Sequence, residues 1–262
     1  MQQVKHLTSM NKLIIAAVFF LIGLTACQEL SESGADARHV STSQNITFVA
    51  AYPLDVTEPS GLSLSKDKQS LWTVSDNDGG IYRIDLQGKS LGHFSTEHKD
   101  VEGVTTIDSE HLAFIDERAR RIAIARKDGK IIREAAVPIP GSDNKGPEAL
   151  SYDEDAAEFY IMQEKPGILI KLNSDLEEMA RRQLKFAQDY SSISFDSKRK
   201  RLWVLSDKSK SIHVLDRDQN LIESFSVDVD QMEGIAVDHE RQLIYLISDP
   251  RSELYIFAFN AF

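Results

Sequence analysis

The sequence predicts an all-β protein, a five-bladed β-propeller closed by an N-terminal strand that completes the last blade. Three observations carry that expectation. One motif recurs five times at a nearly constant interval, each repeat has the polarity pattern of successive short strands, and the two ends of the chain complement each other.

The recurring lines are Glu58-Pro59-Ser60-Gly61-Leu62, Asp100-Val101-Glu102-Gly103-Val104, Gly146-Pro147-Glu148-Ala149-Leu150, Asp189-Tyr190-Ser191-Ser192-Ile193 and Gln231-Met232-Glu233-Gly234-Ile235. Measured at Gly61, Gly103, Ala149, Ser192 and Gly234, they lie 42, 46, 43 and 42 residues apart. Four strands per repeat at this period is the signature of a propeller. The competing architecture is an unclosed β-solenoid.

Within each repeat a short strand leads through a polar turn to an apolar run, such as Leu71-Trp72-Thr73-Val74 or Leu202-Trp203-Val204-Leu205. Runs of this kind fit strands packed on both faces between neighbouring blades. Third segments such as 81–86 and 211–216 put Tyr82, Ile84 and Leu86, or Ile212 and Val214, on one pleated face. Asn77-Asp78-Gly79-Gly80, Gln87-Gly88, Lys127-Asp128-Gly129 and Asp249-Pro250 supply the turns. A helix is expected only around residues 176–184.

The fifth repeat has strands at 234–237, 243–247 and 253–259 but no fourth, whereas the strand-like segment 45–52 precedes the first repeat and belongs to none. Pairing the two removes an open sheet edge. The blade count is then five, since a sixth would need about forty further residues.

Lys5 and Lys12 precede the apolar run 13–24, which Thr25, Ala26 and Cys27 follow, so basic, apolar and small segments stand in the order of an export signal. That run is too short to span a bilayer comfortably. Leu24-Thr25-Ala26-Cys27 resembles the lipobox of bacterial lipoproteins, which implies cleavage before Cys27 and acylation of this sole cysteine. The expected organisation is a lipoprotein signal peptide at 1–26, a lipidated Cys27 with a flexible Ser-rich tether at 27–45, and the propeller at 46–262. Acyl chains, at about 0.8 kcal/mol per buried methylene, would hold the protein at a membrane facing the periplasm. Gln28, standing where an Asp signals inner-membrane retention, favours the outer membrane. Met10 reads as an alternative start.

The 262 residues are 42% hydrophobic and 27% charged, which excludes a disordered or collagen-like chain. Lys and Arg number 30 against 41 Asp and Glu, a net charge of -11 that would repel a phosphate backbone. No nucleic-acid partner is expected.

In an antiparallel hairpin, residues equidistant from the turn are neighbours. Glu58 with Asp76, Glu102 with Asp116, Glu148 with Glu164, and Glu233 with Asp249 are each centred on the first turn of their repeat. In the fourth repeat Ser191 stands in place of Glu, opposite Asp207. Because the first strand of a blade lines the central channel, Glu58, Glu102, Glu148 and Glu233 are expected to ring its mouth. Asp76, Asp116, Glu164, Asp207 and Asp249 are expected just outside. Two carboxylates about 6 Å apart at an effective dielectric of about 20 repel by about 3 kcal/mol, so such a ring calls for a cation. Calcium suits an irregular all-oxygen cage better than magnesium, which demands a tight octahedron. The competing role for the same Glu side chains is to cap backbone amides or pair with Lys and Arg, holding blades together.

These repeated lines, with Ser75-Asp76, Ser206-Asp207 and Ser248-Asp249, resemble the SdiA-regulated family of bacterial propeller proteins, distantly related to NHL-repeat and esterase-like phytase propellers. The resemblance runs from about residue 46 to the end. It implies a five-bladed propeller, a calcium site with the motif Glu residues as ligands, an exported or membrane-associated location and no established activity. Ser191 departs from the Glu pattern, so the ring is not fully symmetric.

No G-x-S-x-G, P-loop or Gly-rich dinucleotide turn occurs. The histidines are scattered without zinc-ligand spacing, and Asp76-Asn77-Asp78-Gly79 opens like an EF-hand loop but has Gln87 where the terminal Glu belongs. The first functional expectation is a lipid-anchored, calcium-binding module of the cell envelope whose propeller face binds a protein or small-molecule ligand. The second is a metal-dependent hydrolase of lactones, esters or phosphate esters, with Asp76, Asp116 or Asp207 as candidate base.

Overall fold

The computed structural model describes residues 45–140 and 145–260, and among these every regular element is a β-strand. Strand β1 (Ile46–Pro53) stands before the first repeat. Blade 1 is β2 (Pro59–Leu64), β3 (Leu71–Ser75), β4 (Gly80–Ile84) and β5 (Ser90–Ser95). Blade 2 is β6 (Val101–Thr106), β7 (His111–Asp116), β8 (Arg121–Arg126) and β9 (Ile131–Ala136). Blade 3 is β10 (Ala149–Asp153), β11 (Glu158–Gln163), β12 (Ile168–Leu172) and β13 (Glu178–Gln183). Blade 4 is β14 (Ser192–Asp196), β15 (Arg201–Ser206), β16 (Ser211–Leu215) and β17 (Leu221–Ser226). Blade 5 holds β18 (Met232–Asp238), β19 (Leu243–Ser248) and β20 (Glu253–Phe259).

Blades 1 to 4 pair their strands antiparallel in chain order, and blade 5 has the order β18-β19-β20-β1. The N-terminal strand therefore supplies the missing fourth strand, in the register Ile46↔Phe259 through Pro53↔Glu253, with one bulge between Phe48 and Ala50. The five first strands neighbour one another in sequence, and β18 returns to β2, so the ring is closed. The blade count and closure expected from the repeats are those observed.

Second strands are buried on both faces, as their uninterrupted apolar runs require: β3 and the last five residues of β7, β11, β15 and β19 are all buried. Each junction between consecutive blades carries its own apolar core. Leu62, Leu71 and Ile84 of blade 1 pack on Tyr245 and Ile247 of blade 5 across the closing junction. Trp203 and Phe225 of blade 4 pack with Leu246 and Phe257 of blade 5.

The helix expected at 176–184 is instead a turn followed by β13. Glu, Met, Ala and Arg favour helix, but Asn173 Oδ1 accepts the amides of Asp175 and Glu177, and Leu176 turns back at φ 63. The chain then pairs with β12 from Ile168↔Gln183 to Leu172↔Glu178. All six residues of β13 are exposed, so an outermost strand leaves no apolar alternation in the sequence.

The first strands approach so closely at the repeat's small position that a side chain does not fit. A Cβ on Gly61, whose φ is +52, would lie 2.6 Å from the carbonyl oxygen of Glu102 in the next blade. Gly103 would place one 3.0 Å from Leu150 N of the blade after that. Gly61→Ala is therefore expected to lower unfolding free energy by about 2 kcal/mol or more, through backbone strain and separation of two first strands. Urea unfolding measures this, and a variant as stable as the parent chain would contradict the close apposition.

Candidate metal centre

Three positions per blade meet at one end of the ring. The first is the residue entering the inner strand: Glu58, Asp100, Gly146, Asp189 and Gln231. The second, immediately before the small position, is Ser60, Glu102, Glu148, Ser191 and Glu233. The third follows the last residue of the second strand: Asp76, Glu117, Glu164, Asp207 and Asp249. First and third positions are joined by equivalent backbone bonds, with Asp76 N donating to Glu58 O (3.1 Å), Glu117 N to Asp100 O (2.9 Å) and Asp249 N to Gln231 O (3.2 Å). In blades 2 and 5 the Glu of the second position is the extra residue of a bulge, between Val101 and Gly103 and between Met232 and Gly234. A bulge re-aims the side chain it carries.

A cavity of about 370 Å³ opens at this end, lined by Glu58, Glu102, Glu148, Glu233, Asp76, Glu164, Asp207 and Asp249 among others. Two placements correct the hairpin pairing. Glu58 occupies the first position, alongside Asp100 and Gln231, and Ser60 stands where the other blades carry Glu102, Glu148 and Glu233. Asp116 is not part of the cavity lining. It is the last residue of β7, equivalent to Ser75, Ser206 and Ser248. Its carboxylate accepts from Ala119 N (2.7 Å) and lies 2.9 Å from His98 Nδ1, so it is neither at the mouth nor placed as a base there. The true equivalent of Asp76 and Asp249 in blade 2 is Glu117. Asp100, Glu117 and Asp189 are acids of this end that pairing around the turn misses. Asp100 and Asp189 nonetheless sit under Glu58 in the aligned repeat lines, and aligning the strand ends at Ser75, Ser206 and Ser248 finds Glu117.

The acids are unevenly compensated. Asp76, Asp100 and Glu102 each offer one oxygen within 4.8 Å of the others, and so do Glu102, Glu117 and Glu148, with Glu102 common to both groups. Asp100 and Glu117 are only 8% and 7% exposed. Asp100 has a partner in Arg118, through the amide at 3.0 Å and the guanidinium at 3.4 Å, and Glu117 Oε1 accepts Gly146 N at 3.0 Å. Burial, then the Asp76 carboxylate, pushes Glu102 up to about 8. Burial pushes Glu148 up to about 10, and the charged neighbours acting on it, Glu117, Glu102 and Glu164, are all carboxylates. Burial also raises Glu117 and, with help from Asp100, Asp76. The Asp76 carboxylate lies beside Glu102 and the Glu117 carboxylate beside Glu148, so each charge opposes the ionisation of its neighbour.

The facing sector carries its own cations. Lys165 Nζ meets Glu164 at 2.8 Å and Lys210 Nζ meets Asp207 at 3.1 Å, while Asp189 accepts Ser206 Oγ at 2.5 Å and the Lys208 amide at 3.1 Å. Glu233, pushed up to about 7 by burial and then by Asp207 and Asp249, is the strained group there. The three-carboxylate groups thus lie where blades 1, 2 and 3 meet, and Glu233 and Asp249, both raised by burial, extend the crowding into blade 5. The donors offered are carboxylate oxygens without His or Cys, a set that fits a hard divalent cation and not zinc.

These raised carboxyls bind protons more tightly in the folded chain than in the unfolded one. Their stabilisation is therefore complete below the unfolded carboxyl range, and it is lost as pH rises through the folded values near 7, 8 and 10 for Glu233, Glu102 and Glu148. Each contributes at most about 1.4 kcal/mol per pH unit. In chelator, the urea midpoint should fall between about pH 5 and pH 9, and Glu102→Gln or Glu148→Gln should flatten the fall. A midpoint that rises or stays level over that range would contradict the crowding described above.

The structure is similar to the crystal structure of Myxococcus xanthus glutaminyl cyclase, with a TM-score of 0.65 and 11% sequence identity, covering 82% of this chain and 96% of that one. It is also similar to a streptogramin B lyase structure, with a TM-score of 0.50 and 19% identity, covering 83% of this chain and 74% of that one. At such identities the likeness shows the fold alone. The family described as SdiA-regulated matches residues 47–258, from β1 to β20 and across all five blades. The chain belongs to the SdiA-regulated family.

Proposed function

We propose that this protein is an exported, lipid-anchored, calcium-binding propeller that acts as a binding module of the cell envelope. The observation that carries the calcium reading is the pair of three-carboxylate groups sharing Glu102. Asp76, Asp100, Glu102, Glu117 and Glu148 would hold the ion, and a divalent charge there would offset the mutual repulsion of these carboxyls. Calcium tolerates such a donor set because it accepts six to eight oxygens, roughly, in irregular geometry. Glu58, Glu233, Asp207 and Asp249 would then line the remaining mouth without contacting the ion. Binding would release protons and tighten as pH rises, in the same range where the metal-free chain loses stability.

The anchor is supported by the basic, apolar and small segments that end at Cys27, which lies outside the described residues. Among the described residues no helix is long and apolar enough to cross a membrane. Attachment would rest on the acylated Cys27, with the propeller held on the tether at the periplasmic face of the outer membrane.

Calcium at 100 times its dissociation constant should raise the unfolding free energy by about 2.7 kcal/mol. Glu148→Gln and Glu117→Gln should each remove most of that gain while melting cooperatively in chelator. Absence of any shift in the chelated and reloaded parent chain would overturn the calcium reading. Separately, Cys27→Ser should move the expressed protein from the membrane fraction to the soluble fraction, and retention of the variant with membranes would exclude the lipid anchor.

A further inference from the structure

We propose that the cavity at the mouth opposite the acids binds an uncharged, hydroxyl-rich small molecule, a sugar, with Asp196 and His239 as the residues that anchor it. About 300 Å³ opens there, at the lower end of small-molecule sites and about ten times the 30 Å³ that one water takes in the liquid. It shares no lining residue with the acidic mouth. The rim favours neither sign of ion, because Lys66 pairs with Glu154, Lys68 with Glu240 and Lys200 with Asp155. Inside the rim the wall is mixed. Tyr152, Phe195 and Val237 contribute half-buried apolar surface, and serine hydroxyls stand beside them. Ser151 Oγ accepts the Phe195 amide at 2.8 Å and keeps its own proton to donate, while Ser194 Oγ makes no hydrogen bond with any described residue.

Two buried groups on this wall have hydrogen-bonding capacity left over. Asp196, only 7% exposed, ends the first strand of blade 4, and its Oδ1 accepts the Lys198 and Arg199 amides at 3.0 and 3.2 Å. The same turn cap recurs at Asp153 and Asp238, and there a cation completes it, Lys200 at 3.2 Å and Arg241 at 2.6 Å. Asp196 has a histidine instead. Its Oδ2 faces Nδ1 of His239, from blade 5, at 3.1 Å, yet neither atom completes a hydrogen bond, and both residues line the cavity. Buried polar atoms in this state are costly unless a ligand or a water satisfies them. A hydroxyl group serves both at once, donating to Asp196 Oδ2 and accepting from the His239 Nδ1 proton. A ligand that only donates or only accepts leaves one of the two unsatisfied, which disfavours an ammonium or a carboxylate. A sugar carries several hydroxyls on one carbon frame, and so matches the serines and the apolar surface of the same wall.

D-Glucose, D-galactose and N-acetyl-D-glucosamine serve as probes, each titrated calorimetrically into the protein with calcium and with chelator. At least one should bind, with equal affinity in the two conditions. Asp196→Asn keeps an oxygen for the two turn amides, and His239→Gln keeps a polar side chain at that position, so both variants should fold. Each should weaken binding by about tenfold or more. Should either fail to fold, the parent protein still decides, because the ring signals of His239 in NMR spectra should shift as the bound probe is added. No binding of any probe, undiminished affinity in both variants, or His239 signals that stay in place would overturn the sugar site. Binding that vanishes in chelator would overturn it too, by moving the probe to the acidic mouth. All four results leave the calcium reading standing.

Discussion

Five first strands must pass side by side around one axis, and the rest of the structure follows from how closely they do so. At the small position of each repeat, backbone meets backbone: Gly61 lies against the Glu102 carbonyl, and Gly103 against the Leu150 amide. Residues that precede this waist emerge together at one mouth, and those that follow it emerge together at the other. Crowding of the acids is therefore a geometric result of the repeat and needs no separate device.

Close passage also brings together strand edges that have no sheet partner of their own. Hydroxyl side chains bridge them. Ser60 Oγ donates to Glu102 O (2.9 Å) and Ser191 Oγ to Met232 O (2.6 Å), while Ser63 Oγ accepts Thr106 N (3.0 Å) and Ser151 Oγ accepts Phe195 N (2.8 Å). The two serines that interrupt the Glu pattern, Ser60 and Ser191, thus have a structural task, tying one blade to the next. At the opposite mouth the charges are paired off: Lys66 with Glu154, Lys68 with Glu240 and Lys200 with Asp155. One fold has therefore built two mouths of the same geometry, and only one carries acids that the protein leaves uncompensated. An acidic composition alone would have loaded both.

The blade count and the closing strand were legible because both depend on strand-length apolar runs and on a recurring small residue, features that a sequence displays directly. The site was legible only to within one or two residues. Pairing around a turn assumes an uninterrupted ladder, and the bulges at Gly61, Glu102 and Glu233 each shift it by one. In blade 2 that shift is the difference between Asp116, spent on His98, and Glu117, which offers an oxygen within 4.8 Å of Glu102 and Glu148. Glu58 misleads because a carboxylate at the wrong offset looks the same in sequence as one at the right offset. Residues 178–183 mislead for the opposite reason, since an outermost strand has one ladder partner and no buried face, and its helix-favouring composition is overridden by pairing alone. Which acids are neutralised is not written in the repeat at all. Lys165 and Lys210 lie next to or three residues from the acids they hold, Glu164 and Asp207, whereas in blade 2 Arg118, next to Glu117, pairs with Asp100 instead.

Closure of the ring and crowding of the acids fall on different residues. Closure depends on β1 adding to β20 in blade 5 and on the apolar junctions that flank that blade, with Phe257 buried between Phe48 and its neighbours. The three-carboxylate groups lie at the junctions of blades 1, 2 and 3, where β6 and β10 are held by Gly103 against Leu150 and by the core around Ile115, Leu150 and Ile161. Blade 5 carries its own share of the crowding, since burial and neighbouring carboxylates raise both Glu233 and Asp249. The blade assembled from both ends of the propeller is held against that repulsion by the β1–β20 ladder and by the apolar junctions on either side of it.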